Sequence, residues 1–142
     1  MPIKQLSLFV ENRPGSLNAV CQVLKKHNLS IRTLSLADTQ QFGILRLLVR
    51  EHEEARRVLE EAGFVVKITD VLALTVPDCP GGLADILTIL DRHGLSVEYM
   101  YAFTFGRGEK AVIVFRFENP EKAIEELRGE PIELVRAEEL FS

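Results

Sequence analysis

Two short segments combine residue types that could bind a small charged molecule. ENRPGSL begins at Glu11, and DCPGGL begins at Asp78. Each follows an apolar run and precedes a helical apolar pattern, so each predicts a tight turn from a strand into a helix. Glycine in such a turn lets a ligand reach the backbone, and proline stiffens the loop. The free N–H groups at the start of a helix attract a carboxylate.

Two interpretations of these turns remain open from the residues alone. In the first, the Pro-Gly pair only makes a compact connection between a strand and a helix. In the second, it also forms a binding loop. Cys79, beside the second turn, has two interpretations as well, either a reactive thiol or a small side chain that fills space.

The chain contains an internal repeat, which predicts that the turn is built twice. Pro80 and Gly81 follow Pro14 and Gly15 by 66 positions, and the flanking apolar residues repeat at the same spacing. The spacing becomes 68 from Ala55 onward, which indicates two inserted residues, placed by their composition in Phe105–Lys110. We therefore expect two units of one fold, residues 1–69 and residues 70–142.

Each unit has the pattern of a βαββαβ fold. Leu6, Leu8 and Val10 alternate with other residues, as in a strand with one buried face, and an apolar helical stripe begins at Leu17. The predicted second strands are residues 29–37 and 95–103, and the predicted fourth strands are 64–68 and 131–135. This order predicts an α+β protein of tandem ferredoxin-like units, antiparallel sheets with helices mainly on one face. Only two residues would join the units, so we expect them to pack rigidly.

Composition and charge exclude several functional classes. The net charge of −4, without a basic block, disfavours binding to nucleic acid. No apolar run is long enough for a membrane span. The two cysteines have no metal-binding spacing and are typical of a reducing compartment, so we expect a cytoplasmic protein without metal or cofactor. No catalytic set of serine or cysteine with histidine emerges, and we expect no enzymatic activity.

The repeated βαββαβ pattern with a PG-L turn resembles the ACT domain family of amino-acid-sensing modules. The resemblance covers nearly the whole chain as two tandem copies, and ENRPGSLNAV is particularly similar to the ACT segment of serine-regulated phosphoglycerate dehydrogenase. It implies a regulatory protein that binds an amino acid at interfaces between units, against the turn. The implied binding residues in the two turns are Asn12, Arg13, Pro14, Gly15, Ser16 and Leu17, and Asp78, Cys79, Pro80, Gly81, Gly82 and Leu83.

The resemblance also indicates which ligand to expect. A ligand-holding asparagine of the dehydrogenase falls on Asn12, with Asp78 in the second copy, and a second-strand asparagine falls on Ser30 and Ser96. A histidine of the dehydrogenase is replaced by valine in both copies. These changes leave room for a larger and more apolar ligand than serine, so a free aromatic or branched-chain amino acid is favoured.

The aromatic segment YMYAF, residues 99–103, also has two interpretations. Tyr99 and Tyr101 could cover a helix or a partner subunit, or they could line a pocket for an apolar side chain. Edge strands of ferredoxin-like sheets invite pairing, so we expect a homodimer. A regulator of this kind implies a metabolic enzyme as partner. The alternative function is a structural subunit that docks on such an enzyme without binding a ligand.

Overall fold

The computed structural model describes residues 2–38, 41–103 and 108–142, without the side chain of Asp38. The chain forms two compact units. One comprises Lys4–Thr69, and the other comprises Asp70–Ser142 together with the first residues of the chain.

The first unit is a sheet covered by two helices. Its elements, in chain order, are β1 (Ile3–Glu11), α1 (Ser16–Lys26), β2 (Thr33–Asp38), β3 (Phe42–Leu48), α2 (His52–Glu61) and the first part of β4 (Val66–Pro77). Its strand order is β2-β3-β1-β4, and β3 pairs antiparallel with both β1 and β2.

The core of the first unit lies between the sheet and these helices. Leu6 and Leu8 of β1 stand opposite Leu47 and Leu45 of β3, and all four are fully buried. Residues opposite each other in an antiparallel pair share a face, so they form one apolar surface. Leu24 packs on it from α1, within a cluster that also contains Val20, Ala55 and Leu59.

The second unit repeats this arrangement. After the rest of β4, its elements are α3 (Gly82–Arg92), β5 (Val97–Ala102), β6 (Lys110–Phe117), α4 (Pro120–Leu127), β7 (Leu134–Val135) and α5 (Ala137–Leu140). The rest of β4 pairs antiparallel with β6 and β7, and β5 pairs antiparallel with β6. Its core contains Leu72 and Leu74 of β4, which pack with Ile86 and Leu90 of α3. Phe115 of β6 belongs to the same core, and its ring stacks on that of Phe117 at a centroid distance of 5.9 Å.

The predicted fold class is confirmed, with differences at the ends of elements. The fourth strand of the first copy and the first strand of the second form one strand, β4, which contains Thr69 and Asp70. The second strands begin later than expected, at Thr33 and Val97. β7 has only two residues, and α5 is not predicted. Residues 105–107 of the predicted insertion lie outside the described residues. Rigid packing of the units stays a prediction.

His93 links the C-terminal end of α3 to the C-terminal end of α4 and the residues that follow it. It is the C-cap of α3, and its ring lies between two carboxylates, with Nδ1 3.0 Å from Glu126 and Nε2 2.5 Å from Glu130. The hydrogen bond with Glu130, then that with Glu126, raises the pKa of His93 above its ordinary value of 6.5. Arg92 adds a longer ion pair to Glu130 at 3.5 Å. A protonated imidazole therefore stabilises this helix pair.

Gly82, at the start of α3, is required by packing. It is buried, and a Cβ atom built on it would lie 2.0 Å from the carbonyl oxygen of Pro77. A backbone atom cannot yield as a flexible side chain can, so any side chain there forces the strand and the helix apart. The first copy has the half-buried Ser16 at the equivalent position.

The pH dependence of stability should carry the signature of His93. Because its pKa is raised on folding, its stabilising contribution is full below about pH 6.5 and is lost as the pH rises through the raised pKa. We expect His93→Gln to lower the melting temperature at pH 6 more than at pH 9. Thermal melts across this range test it, with His27→Gln, at the exposed C-cap of α1, as the matched control. Equal losses at both pH values would contradict the assignment.

Substituting Gly82 should destabilise the second unit markedly. We expect Gly82→Ala to lower the free energy of unfolding by about 2 kcal/mol or more, since overpacking against backbone cannot relax easily. Urea denaturation measures this, and Ser16→Ala, in the equivalent turn, should change stability by less than about 1 kcal/mol. If Gly82→Ala has the same free energy of unfolding as the wild type, Gly82 does not lie as close to the backbone of Pro77 as described.

Candidate functional site

The first turn is held by backbone hydrogen bonds within its own unit. The N–H of Asn12 donates to Gln41 at 3.1 Å, and the N–H of Ser16 donates to Arg13 at 3.3 Å. Gly15 is the N-cap of α1 in the left-handed region, with φ of 90°, which glycine adopts without steric cost. A Cβ atom on Gly15 would meet nothing within 4 Å. The space beside this glycine is therefore open rather than filled by packing.

The start of α1 carries an uncompensated partial positive charge. Within the described chain, no side chain caps this helix, and its first turn contains no acidic residue. Arg13 lies just before it and pairs with Glu11 at 2.9 Å, with both side chains largely exposed. A carboxylate at this position would meet backbone N–H groups and a guanidinium, and an ammonium group would find the carboxylate of Glu11 nearby.

A groove of about 850 Å³ opens at this turn. It is lined by the end of β1, the turn, the first part of α1 and the segment that connects α2 to β4; the lining residues are Phe9, Val10, Glu11, Arg13, Pro14, Gly15, Ser16, Ala19, Phe42, Gly63, Phe64 and Val65. Three of its apolar side chains are exposed to solvent, Phe9 at 63%, Phe42 at 45% and Val65 at 76%. The groove thus combines a polar end with an apolar wall, as small-molecule sites do.

The predicted residues of the first turn divide between the groove and its surroundings. Arg13, Pro14, Gly15 and Ser16 line the groove, whereas Asn12 and Leu17 adjoin it in the chain without lining it. Ser30 is exposed between α1 and β2 and is not brought to the groove. The exposed apolar side chains of the wall, Phe9, Phe42 and Val65, were not predicted. The available signal was Phe9, a large apolar residue at a position of β1 that alternates away from the core.

The second turn has the same backbone and different chemistry. Gly81 is the N-cap of α3 with φ of 84°, and the N–H of Asp78 donates to Glu109 at 3.0 Å. Among the described residues, no side chain caps α3, but its first turn carries the acidic Asp85. The predicted residues Asp78, Cys79, Pro80 and Gly81 are exposed, whereas Gly82 is buried and Leu83 packs against the core. A carboxylate would therefore be less favoured here than at α1.

The remaining predicted residues lie elsewhere in the second unit. Ser96 lines a cavity of about 120 Å³ together with Asn119, whose side chain caps α4, and Lys122. Tyr99 and Tyr101 are half-buried on β5, opposite Arg116 and Val114 of β6. They do not line the groove of the first turn.

Two further observations limit the chemistry of the described residues. No three histidine, cysteine, aspartate or glutamate side chains among them are grouped so as to hold a metal ion. In the ranges the structure describes, each helix is too short or too polar to cross a membrane.

Comparison with known proteins gives a consistent result. The model of a family described as an ACT domain pair matches residues 1–142. A solved protein from Bacteroides thetaiotaomicron is 39% identical, with a TM-score of 0.91 over 100% of this chain and 97% of its own. No curated protein matches.

More distant solved structures share the fold. The regulatory subunit of aspartate kinase from Thermus thermophilus, described as ligand-free, is 16% identical, with a TM-score of 0.66 over 90% of this chain and 92% of its own. The corresponding subunit from Thermus flavus is 17% identical, with a TM-score of 0.64 over 90% of both chains. Because the family model matches the chain over its whole length and the βαββαβ fold occurs twice, this chain belongs to the family of ACT domain pairs.

Proposed function

We propose that the chain is an amino-acid-binding regulatory protein, with one ACT domain in residues 1–69 and the other in 70–142. The observation that carries the proposal is the groove at the uncapped start of α1, which joins a polar end to an apolar wall in a protein of the ACT family. A free α-amino acid has the same two-part chemistry, with a charged head and a side chain.

In this proposal the head of the ligand lies at the turn. Its carboxylate faces the N–H groups at the start of α1 and the guanidinium of Arg13, and its ammonium group faces Glu11. The absence of a side chain on Gly15 leaves the ligand access to the backbone, since that space is open. Binding must compete with the Glu11–Arg13 pair, but exposed pairs of this kind contribute little, about 0–1 kcal/mol.

The regulated partner in this proposal is a separate enzyme of amino-acid metabolism in the cytoplasm. The support is the shared fold with proteins described as regulatory subunits of aspartate kinase. Ligand binding at the groove would then change the affinity of this chain for the enzyme, as reciprocal coupling between two sites requires.

We also propose that the chain forms a homodimer through β2. This strand ends the strand order of the first unit, and Leu34 and Leu36 on it are 42% and 51% exposed. An exposed apolar edge strand favours pairing with another chain. Light scattering at micromolar concentration should give twice the chain mass, and Leu36→Lys should reduce it toward one chain. A wild-type protein that stays monomeric, or a Leu36→Lys dimer of unchanged stability, would contradict the proposal.

A free amino acid should raise the melting temperature. A ligand that binds only the folded state stabilises it by about 2.7 kcal/mol at a concentration 100 times its Kd. For a chain of this size each kcal/mol shifts the melting temperature by roughly 2–6 °C. We expect at least one proteinogenic amino acid to produce such a shift in a thermal melt, and the matching amine and carboxylic acid to lose most of it, because both charged groups are bound.

A matched pair of variants connects this shift to the turn. Gly15→Val fills open space beside the groove, whereas Gly129→Val imposes the same backbone strain, with φ of +90° and open space, outside the groove. Each should cost about 1–3 kcal/mol of stability, but only Gly15→Val should abolish the shift. If no amino acid at millimolar concentration shifts the melt, the alternative of a structural docking subunit replaces the sensor.

A further inference from the structure

The two copies differ at the wall of the groove. The register places Phe42 opposite Glu11 in the first unit and Lys110 opposite Pro77 in the second, so Phe42 and Lys110 are equivalent. At the repeat spacings, Phe9 corresponds to Thr75, and Val65 corresponds to Glu133. The three exposed apolar residues of the first unit are thus replaced by one hydroxyl and two charged residues in the second.

From this difference we infer that the groove of the first unit selects an amino acid with a large apolar side chain, and that the second turn does not bind that ligand. The inference rests on the proposed function and deepens it, because it assigns the ligand class and a stoichiometry of one per chain. Phe9, Phe42 and Val65 are the residues that determine the specificity.

The wall supplies apolar area that folding leaves exposed. Phe9, Phe42 and Val65 lie outside the core cluster of the first unit, and each exposes between 45% and 76% of its surface. Covering such a surface with an apolar side chain removes both partners from water, which favours binding in proportion to the area covered. A small or polar ligand side chain would leave this wall in water and gain little from it.

The groove has room for a large side chain. Its volume of about 850 Å³ lies in the upper part of the range for small-molecule sites. Phe64 also lines the groove, and because it is half-buried and packs against the core, it gives the groove a fixed apolar surface. The charged residues Glu11 and Arg13 lie together on the turn, which leaves the side chain of the ligand to contact the aromatic residues.

The second turn opposes the same ligand in two ways. Asp85, where the first copy has Ala19, places a negative charge in the first turn of α3, where the ligand carboxylate would lie. Lys110 and Glu133 are exposed at the positions of the apolar wall, and covering them with an apolar side chain would remove charged groups from water without compensation. Any ligand of the second turn must therefore have a different chemistry.

Calorimetric titration of the full chain tests this inference. Leucine, isoleucine, methionine and phenylalanine are compared with serine, aspartate and lysine. We expect the best apolar amino acid to bind at least tenfold more tightly than any of the three polar ones, with one molecule per chain. Binding of a polar amino acid with equal affinity, or two apolar molecules per chain, would overturn the inference while the proposed amino-acid sensor stands.

Two variants place residues of the second copy at wall positions of the first unit. Phe9→Thr and Val65→Glu each introduce the residue of the second copy at an exposed position, so thermal melts should show a folded protein. Each should weaken binding of the apolar amino acid at least tenfold. Met100→Thr, at an exposed position of β5 that does not line the groove, is the control and should keep the wild-type affinity.

The outcomes separate the two proposals. If both wall variants fold and bind the apolar amino acid with the wild-type affinity, the wall does not determine the specificity. The proposed amino-acid sensor would still stand in that case. If no amino acid binds the wild-type chain at all, the sensor function itself is overturned, and the ligand class falls with it.

Discussion

The antiparallel pairing of the first and third strands of each unit is the interaction on which the rest of the structure depends. In the first unit it places Leu6 and Leu8 beside Leu47 and Leu45, and only this register turns all four toward the helices. A shift by one residue would move every one of these side chains to the opposite face. The same pairing continues to Glu11 and Phe42, so the core register also determines which side chains reach the edge of the groove.

The two turns show how one backbone frame can carry different chemistry. Gly15 and Gly81 have nearly the same positive φ, and the N–H of Ala19 and that of Asp85 donate to them at the same distance of 2.9 Å. The charge at the start of the helix nevertheless differs, because Asp85 in the second unit stands where the first has an alanine. Binding properties can thus diverge between the copies while the cores stay alike, since the residues that differ lie outside those cores.

Much of the fold could be predicted from the sequence because its signals are local and occur twice. Alternating leucines, helical stripes and the Pro-Gly turn each reflect short-range geometry. The assembly of the wall could not be predicted from local signals, because Phe9, Phe42 and Val65 are distant in the chain. The environment of His93 was missed for the same reason, since its carboxylate partners are 33 and 37 residues away. The sign of φ at Gly15, which decides the cost of any side chain there, is likewise visible only in three dimensions.

The continuity of β4 affects how the chain can be divided. The repeat suggests a cut between Thr69 and Asp70, but both residues lie inside a strand of 12 residues. Cutting there would turn the middle of a strand into two chain ends, and chain ends fray unless other contacts hold them. The junction should therefore resist proteases as long as β4 is intact. A half of the chain that is expressed separately should fold better if it keeps the whole of β4. For gene fusion or circular permutation, the exposed turn that begins at Asp78 is a better place for new ends than the boundary of the repeat.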